Sequence, residues 1–326
     1  MSTSPAPANP CDQALAAWCG RQGFVKPAAP IAVAYSAGAD STALLLAAHH
    51  RWPGQVIALH VHHGLQAAAD RFVSHAQDFC ARHGIACRVE HVQAAHATGE
   101  SPEDAARRAR YIALAHMAQN VGAGCVLLGQ HADDQAETVL LALSRGAGMP
   151  GLAAMAERFE RHGQVFGRPL LAVPSAALRA WLGDAGHGFV DDPSNADERF
   201  TRNRIRARLM PAWDACFPGF RAMLARSAAH AAQAQRLLDE LAAIDLAQTG
   251  TPPAIAALQQ LSRDRQVNAL RHWLRTDADV AASAAQLDEL LDQIAACTTR
   301  GHRIHLKVAN GFVTREGGCL RYASSV

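Results

Sequence analysis

The stretch IAVAYSAGADSTALLL, residues 31–46, decides the fold of the first part of this 326-residue chain. Its first five residues form a short, mainly apolar run typical of a buried strand, and its last five are typical of a helix. In a strand, loop, helix arrangement, the loop N–H groups and the helix N-terminus together attract an anion. The segment predicts a phosphate-binding loop made of Ser36, Ala37, Gly38, Ala39, Asp40 and Ser41.

Two common nucleotide-binding patterns are absent from this loop. It lacks both G-x-x-x-x-G-K-[ST] and G-x-G-x-x-G, and the only lysines of the chain are Lys26 and Lys307. The remaining pattern is S-G-G-x-D-S, a pyrophosphate loop, with Ala37 in place of a glycine. An ordinary small-residue turn before a helix is the alternative. Since the rest of the pattern is intact, we expect a negative φ at Ala37, where alanine carries no conformational cost.

Short apolar runs alternate with helical patterns over the first two thirds of the chain. The strand-like runs are 31–35, 56–60, 86–89 and 126–129, and the helical stretches are 42–50, 67–83 and 103–120. Short apolar strands separated by helices pair in parallel through right-handed crossovers. The pattern predicts an α/β fold with a doubly wound parallel sheet, whose ligands bind beyond the carboxyl ends of the strands.

The pattern changes after Phe217-Pro218-Gly219. Ala-, Leu- and Arg-rich helices are predicted at 222–247, 266–275 and 284–296, and Asn310-Gly311 predicts a hairpin between strands at 302–308 and 311–315. We therefore expect a tail and first helix (1–28), a domain that carries the pyrophosphate loop (29–212), and a mainly helical domain that ends in a short β hairpin (213–326).

Composition narrows the class of protein. With 49% hydrophobic and 18% charged residues the chain can bury a large core, and its apolar runs are too short to cross a bilayer. The first ten residues do not resemble a signal peptide. Eight cysteines without a C-x-x-C spacing disfavour zinc ribbons, iron–sulfur clusters and disulfide scaffolds. These features predict a protein of the reducing cytoplasm without a membrane role.

A second polar block, LLGQHADDQAET, follows the fourth strand-like run at residues 127–138. Asp134 and Glu137 have the spacing of a helix cap and its partner, so capping alone would explain them. Asp133 and Glu137 are one helical turn apart and are able to project together toward the phosphate loop. His131 lies beside these carboxylates and is a candidate donor to phosphate or base.

With this block the chain resembles the tRNA(Ile)-lysidine synthetase family of pyrophosphate-loop ATPases, in its short form. Matching segments follow the family order over about residues 30–210: 60–65, 106–111, 151–155, 168–171, 192–195 and 202–203. Two positions depart from the family pattern. Ala37 stands where the loop usually has glycine, and Gln130 stands where a first histidine is common.

The resemblance implies a reaction and a set of residues. ATP adenylates the C2 oxygen of the wobble cytidine of tRNA(Ile) with a CAU anticodon, and the ε-amine of free L-lysine then displaces AMP. Residues 36–41 would hold pyrophosphate, Asp40 and Asp133 would hold Mg²⁺, and Asp134 and Glu137 would position the lysine ammonium. His63 would shape a nucleotide-binding loop, and Arg110 would stabilise phosphate or the flipped nucleotide.

Arginines cluster in two segments, one with Arg107, Arg108 and Arg110 and one between Arg199 and Arg208. Such a stretch is commonly a solvated surface, but beside an ATP site it also suits an RNA backbone. We take Arg145, Arg202 and Arg206 as candidates for tRNA binding. Whether the chain forms a homodimer is left open.

Other functions remain as alternatives. The cluster His60, His62 and His63 invites a zinc site, but no fourth ligand lies near it in sequence. A tRNA thiolase would need reactive or cluster-binding cysteines, and a GMP-synthetase-like enzyme would need a glutaminase unit. A protein of a different class, a non-catalytic RNA- or nucleotide-binding protein with a disabled ATP site, is suggested by Ala37 alone.

Overall fold

The computed structural model describes residues 8–24, 28–62, 69–92, 102–192, 197–299 and 301–324. Contacts between residues divide the chain into two compact units, Met1–Ala229 and His230–Val326. The domain boundaries expected from the sequence remain a proposal. Among the described residues, no helix is both long and apolar enough to span a membrane.

The first unit contains a six-stranded sheet. Its strands are β1 (Ile31–Ala34), β2 (Val56–His62), β3 (Ala86–His91), β4 (Cys125–Leu127), β5 (Arg158–Arg161) and β6 (Gln164–Gly167). They lie in the order β3-β2-β1-β4-β6-β5, and every neighbouring pair is parallel except β5 with β6. The predicted α/β class with a mostly parallel sheet is confirmed. The antiparallel edge pair β5–β6 is an addition that the sequence pattern does not predict.

The three helices expected at 42–50, 67–83 and 103–120 begin within three residues of those positions, and the other helices had no predicted bounds. The helices of this unit are α1 (Pro10–Arg21), α2 (Ala39–Arg51), α3 (Ala69–Arg82), α4 (Pro102–Asn120), α5 (Ala132–Ser144), α6 (Met149–Leu152), α7 (Ser175–Asp184), α8 (Thr201–Arg204) and α9 (Met210–Cys216); α10 (Phe220–Thr249) begins here and continues past residue 229. Buried side chains fill both faces of the sheet. One core includes Trp18, Leu44 and Phe79, and the other includes Tyr111, Leu114 and Phe166.

The strand order places the functional loops together. From β1 the chain adds β2 and β3 on one side and later β4 on the other, so the order reverses between β1 and β4. A crevice opens at the carboxyl ends of strands at such a reversal. The chain after β4 passes so close to the start of α2 that a Cβ on Gly129 would lie 3.2 Å from the Asp40 carbonyl carbon. Glycine is required there by this close approach.

A π-helical turn, Ile205–Leu209, connects α8 to α9. The Met210 N–H donates to the Ile205 carbonyl, five residues earlier. Pro211 follows, lacks an N–H group, and would collide with the carbonyl four residues before it in a regular helix. Widening the turn relieves that collision. Turns of this kind occur frequently at functional sites.

The second unit has its own core of helices and a small sheet. It contains α11 (Ile255–Leu258), α12 (Arg263–Ala278), α13 (Ala284–Ala295), β7 (His305–Val308), β8 (Gly311–Glu316) and β9 (Cys319–Ser324). Strands β7 and β8 pair antiparallel around Ala309 and Asn310, as the hairpin pattern predicts. Strand β9 pairs with β8 and makes the sheet three-stranded, which the sequence pattern does not predict.

Candidate active site

A cleft of about 840 Å³ lies at the carboxyl ends of β1, β2 and β4. Its walls come from the loop after β1, the start of α5, the middle of α4 and the start of α7. The lining residues with charged or polar side chains include Ser36, Asp40, Ser41, His60, Arg107, Arg110, His131, Asp133, Asp134, Ser175, Arg179 and Arg206. The two polar blocks predicted from the sequence therefore share one site.

The loop after β1 is held by its own hydroxyl groups. Ser41 Oγ and Thr42 Oγ1 both donate to the Gly38 carbonyl, at 3.0 and 2.9 Å. The Ser36 N–H donates to Ser41 Oγ at 3.2 Å, and the Gly38 N–H reaches Ser36 Oγ at 3.4 Å. These short-range bonds fix a tight turn directly before α2. The turn leaves Ser36 exposed on the cleft.

Ala37 has a φ of +66°, so the expectation of a negative φ is wrong. The turn needs a left-handed residue, and an alanine in that conformation costs about 1–2 kcal/mol. Two features offset this cost. The Ala37 methyl is fully buried in the core, and the Ala37 carbonyl accepts a 2.9 Å hydrogen bond from the Val190 N–H. The loop thus keeps the glycine conformation with an alanine side chain.

His131 lies at the centre of three carboxylates. Its Nε2 is 3.4 Å from Asp40 Oδ2 and 3.4 Å from Asp134 Oδ2, and its Nδ1 is 3.6 Å from Asp133 Oδ2. Burial alone would lower the pKa of His131, but the contacts with Asp40 and the charges of the aspartates raise it. Burial would likewise raise the pKa of Asp40, but His131 and Ser175 lower it. The cluster favours an imidazolium beside ionised carboxylates.

Ser175, the first residue of α7, connects two of these carboxylates. Its hydroxyl donates to Asp40 Oδ1 at 3.0 Å, and its backbone N–H donates to Asp133 Oδ2 at 2.9 Å. The N-terminus of α7 therefore adds its partial positive charge beside both anions. Asp133 also accepts from Arg221 Nε at 2.5 Å. Burial would raise the pKa of Asp133, but these donors lower it.

Glu137, one turn further along α5, is fully buried and does not line the cleft. Arg206 Nε donates to Glu137 Oε1 at 2.7 Å, and Arg206 Nη2 lies 3.5 Å from Asp134 Oδ1. Arg202 Nη1 is 3.8 Å from Glu137 Oε2. Burial nevertheless raises the pKa of Glu137 above its ordinary value. Arg206 thus lies between Glu137 and the cleft.

A buried arginine supports the opposite wall. Arg168 donates from Nε to Gln130 Oε1 at 3.0 Å and from Nη2 to the Tyr111 hydroxyl at 3.2 Å. Its Cζ lies 4.1 Å from the centre of the Phe159 ring. Gln130 directly precedes His131, so this network fixes the backbone at the start of α5. Arg110 lines the cleft near Tyr111.

The other predicted residues fall in different places. Gly38 is the N-cap of α2, and Ala39 and Ser41 lie beside the cleft in the first turn of this helix, which begins earlier than the predicted loop end at 41. Arg145 is exposed at the C-terminal end of α5 and is not among the cleft residues. His63 lies outside the described residues. For the histidine cluster, His60 is buried with Nδ1 at 2.8 Å from the Tyr35 carbonyl, and the described residues contain no group of three or more potential ligands suited to a metal ion.

Comparison with known proteins identifies the family. The PP-loop domain family matches residues 12–213, and the TilS substrate binding domain matches residues 254–321. A tRNA(Ile)-lysidine synthase of Polaromonas naphthalenivorans is 65% identical over 296 residues, which are 91% of this chain and 90% of that protein. The chain belongs to the tRNA(Ile)-lysidine synthase family. The predicted family and the predicted class of enzyme, a ligase with an ATP-binding PP-loop domain, are confirmed.

Members of the tRNA(Ile)-lysidine synthase family differ in length. The protein of Bordetella bronchiseptica is 42% identical over 290 residues, 86% of this chain and 84% of its own length. The protein of Burkholderia mallei is 46% identical over 278 residues, which cover 82% of this chain but 56% of that protein. The chain therefore spans little more than half the length of some relatives that it matches.

A solved structure supports the same fold. The U34-tRNA thiolase NcsA from Methanococcus maripaludis, solved with its [4Fe-4S] cluster, has a TM-score of 0.58 and 16% identity. The similarity covers 68% of this chain and 76% of that one. At this identity the likeness concerns the fold alone. In the 326-residue chain itself, none of the described residues that line the cleft is a cysteine.

Several site residues carry no signal in the sequence. Ser175 and Arg179 belong to α7, which matches no motif, and Arg221 follows the arginine-rich segment rather than lying in it. Arg168 lies in a segment that matches the lysidine synthetase pattern, but the pattern assigns it no partner. The contacts of Ser175 with Asp40, Arg168 with Tyr111 and Arg221 with Asp133 join residues 135, 57 and 88 positions apart, so only the folded structure brings these pairs together.

Proposed function

We propose that this chain ligates free L-lysine to C2 of the wobble cytidine of tRNA(Ile) with a CAU anticodon, through an adenylated tRNA intermediate. Family membership supports the overall reaction. The observation that carries the assignment to this cleft is the convergence of the loop, 36–41, with the acidic start of α5 around His131. An anion cradle and an ammonium-binding carboxylate cluster are the two sites that such a ligation needs.

The first step is transfer of AMP. The cytidine C2 oxygen attacks the α-phosphorus of ATP, a new P–O bond forms, and pyrophosphate leaves. Backbone N–H groups of 36–41 and the N-terminus of α2 would bind the leaving pyrophosphate. The imidazolium of His131 at 3.4 Å from Asp40 would offset negative charge as it builds up beside the loop.

The carboxylates in the first turns of α2 and α5 are suitable ligands for Mg²⁺. Asp40 and Asp133 both contact Ser175, and carboxylate oxygens with phosphate oxygens are the ligands that this ion prefers. Their pKa values are lowered, so both are ionised at neutral pH. Asp40 and Asp133 would hold Mg²⁺, which would neutralise charge on pyrophosphate.

The second step joins lysine to the activated base. The lysine ε-amine attacks C2, a C–N bond forms, and AMP leaves with the C2 oxygen. Asp134, which lines the cleft, would orient the lysine ammonium and take up a proton before attack. Glu137 would act from behind Arg206, by fixing the guanidinium that borders this pocket. Arg145 and Arg202 would contribute contacts to the tRNA, and Arg110 would stabilise phosphate or the flipped nucleotide. Arg206, the third candidate for tRNA binding, would do so while bonded to Glu137.

One assay tests this proposal. AMP release from ATP and Mg²⁺ is measured with tRNA(Ile) and lysine each omitted in turn. We expect AMP release to require tRNA, and stable modified tRNA to require lysine. Equal product with glutamine or with a sulfur donor would contradict lysidine formation. A protein that binds tRNA but never releases AMP would instead support the non-catalytic alternative suggested by Ala37.

Two further expectations belong to this proposal. A cytoplasmic location and a homodimer remain predictions. Light scattering of the purified chain at several concentrations would test the dimer, because a dissociating dimer shows a mass that falls on dilution.

A further inference from the structure

Arg179 places a cation beside the phosphate loop that no sequence motif indicates. It follows Ser175 by four residues on α7, and residues so spaced lie on one face of a helix. The Ser175 hydroxyl bonds to Asp40, and both Ser175 and Arg179 line the cleft. The face of α7 that contacts Asp40 through Ser175 therefore also carries the guanidinium of Arg179.

A short segment joins Arg179 to the loop itself. The Val190 N–H donates to the Ala37 carbonyl at 2.9 Å. On either side of Val190, Phe189 lies under the guanidinium with its ring centre 5.2 Å from Arg179 Cζ, and Asp191 Oδ1 lies 2.9 Å from Arg179 Nη1. The charge of Arg179 also helps to lower the pKa of Asp40. The segment that holds Arg179 is therefore tied by a hydrogen bond to the turn that forms the anion cradle, and Arg179 lines the same cleft.

The ion pair that holds Arg179 is weak enough to exchange. The side chain of Arg179 is 45% exposed and that of Asp191 is 68% exposed. Ion pairs between such exposed groups contribute little to stability. A bound pyrophosphate group carries several negative charges and offers oxygen pairs that match the fork of a guanidinium. A phosphate ligand in the loop would outcompete one solvated carboxylate.

Other arginines that line the cleft have different surroundings. Arg206 is committed to Glu137 at 2.7 Å, and its removal from that carboxylate would leave a buried charge. Arg107 stands 5.6 Å from the Tyr111 ring centre on α4, the wall opposite α7. The chain has two lysines in all, and neither is near the loop in sequence. Arg179 pairs with Asp191, which is next to the residue whose N–H bonds to Ala37, so it adds a second cation near the cradle besides His131.

We propose that Arg179 exchanges Asp191 for the β- and γ-phosphates of bound ATP, and retains them as pyrophosphate after AMP transfer. Asp191 is then the counter-ion that holds the guanidinium in place when the loop is free. This inference rests on the proposed function, because it takes ATP as the ligand of the loop.

Calorimetry on the full chain with Mg²⁺ tests the exchange. The probes are ATP, inorganic pyrophosphate and AMP, which lacks the β- and γ-phosphates. For Arg179→Ala we expect roughly ten- to hundredfold weaker binding of ATP and pyrophosphate, as for a lost charged hydrogen bond, with AMP binding unchanged. Arg179→Lys should recover part of the loss. Asp191→Asn should bind pyrophosphate equally or more tightly, because it removes the competitor.

A matched control and three outcomes test the inference. Arg158→Ala removes an arginine from edge strand β5, outside the cleft residues, and should leave all three affinities unchanged. If Arg179→Ala binds ATP and pyrophosphate like the wild type, the inference is overturned while ATP binding, and with it the proposed function, stands. An equal loss of AMP affinity would assign Arg179 a structural role and also overturn it. A wild-type chain that binds neither ATP nor pyrophosphate would overturn the proposed function itself.

Discussion

The two sides of the cleft hold their carboxylates by different means. On the loop side, Asp40 is partly exposed and is bonded to the Ser175 hydroxyl and to His131, and its pKa is lowered. On the α5 side, Glu137 is fully buried behind Arg206, and its pKa is raised although an arginine is bonded to it. Burial favours the neutral form of both carboxyl groups, and its effect is outweighed by the donors and charges at Asp40 but not at Glu137.

The contrast separates two kinds of chemical work. An ionised, accessible carboxylate with neutral and cationic donors is suited to share its oxygens with a metal ion. A buried carboxylate resists ionisation because an uncompensated charge there is costly. Once ionised, it is suited to hold one cationic partner firmly. Changes on the loop side should therefore affect rate, and changes on the α5 side should affect stability first.

Asp40→Asn should give the largest effect on rate. Asparagine keeps the shape and can still accept from Ser175, but it removes the negative charge. We expect AMP release to fall by about a hundredfold or more, because one well-placed electrostatic group contributes about 2.7–4 kcal/mol. Initial rates at saturating ATP, tRNA and Mg²⁺ measure this. Turnover near that of the wild type at high Mg²⁺ would refute a metal-binding role for Asp40.

Arg206→Ala should give the largest effect on stability. It leaves Glu137 buried without its 2.7 Å partner, at a cost of about 1–3 kcal/mol, less than for a fully enclosed pair because Arg206 is 41% exposed. The raised pKa of Glu137 means that the folded chain binds its proton more tightly than the unfolded chain. The stability that this bound proton provides is lost as pH rises from the unfolded pKa through the folded one. The loss of unfolding free energy caused by Arg206→Ala should therefore be smaller at about pH 5, where Glu137 is more readily protonated, than at about pH 8.

The control for this variant is a second substitution at its partner. Glu137→Gln in the Arg206→Ala background removes the buried charge and should recover most of the lost stability in denaturant titrations. A double variant that is less stable than Arg206→Ala would show that the glutamate is held by contacts other than this ion pair.

Ser175→Ala should give a smaller effect that is specific to the metal. It removes the hydroxyl from Asp40 but keeps the backbone N–H that donates to Asp133. A net hydrogen bond contributes about 1 kcal/mol, so the Mg²⁺ concentration for half-maximal AMP release should rise about three- to tenfold. The thermal midpoint should change little. Equal losses at all Mg²⁺ concentrations would mean that Ser175 does not act through Asp40.

Ala37→Gly should give the smallest effect of the set. Glycine relieves the left-handed strain of about 1–2 kcal/mol, but it loses a buried methyl of about 0.8 kcal/mol and makes the unfolded chain more flexible. These contributions nearly cancel in the free energy of folding. Because glycine adopts the same positive φ, the loop should keep its geometry, and the ATP dissociation constant should change less than about fivefold, which is below 1 kcal/mol. If this variant alone bound ATP, the loop of the natural chain would be a disabled one.

Local patterns predict the parts of the site that depend on strand ends. Asp40 and His131 each follow a short apolar strand, and parallel pairing puts both strand ends at one edge. The 3.4 Å distance between their side chains follows from this parallel pairing, which the alternation of strands and helices in the sequence predicts. The conformation of Ala37 was predictable only in part, because the loop type demands glycine while alanine by itself favours negative φ.

Partners of the arginines could not be predicted in the same way. Helical spacing puts Arg202 and Arg206 on one face, but it does not say whether that face meets solvent, RNA or Glu137. The structure brings both beside Glu137 over a separation of more than sixty residues. Ser175 and Arg179 depend likewise on the packing of α7 beside the loop, which no local preference encodes.

Because of the π-helical turn before Pro211, the positions of the arginines in this segment depend on the number of residues between 201 and 216. One residue is present beyond what a regular turn would hold. Deleting Ala207 would bring Pro211 back against the carbonyl four residues before it, and it would rotate Arg202 by about 100° relative to Met210 and Trp213, which pack near Ala136 and Leu140. Such a deletion would kink or break the helix at Pro211 and would separate Arg202 from Glu137. Natural length variation is therefore expected in the surface loops of this chain and not between residues 201 and 216.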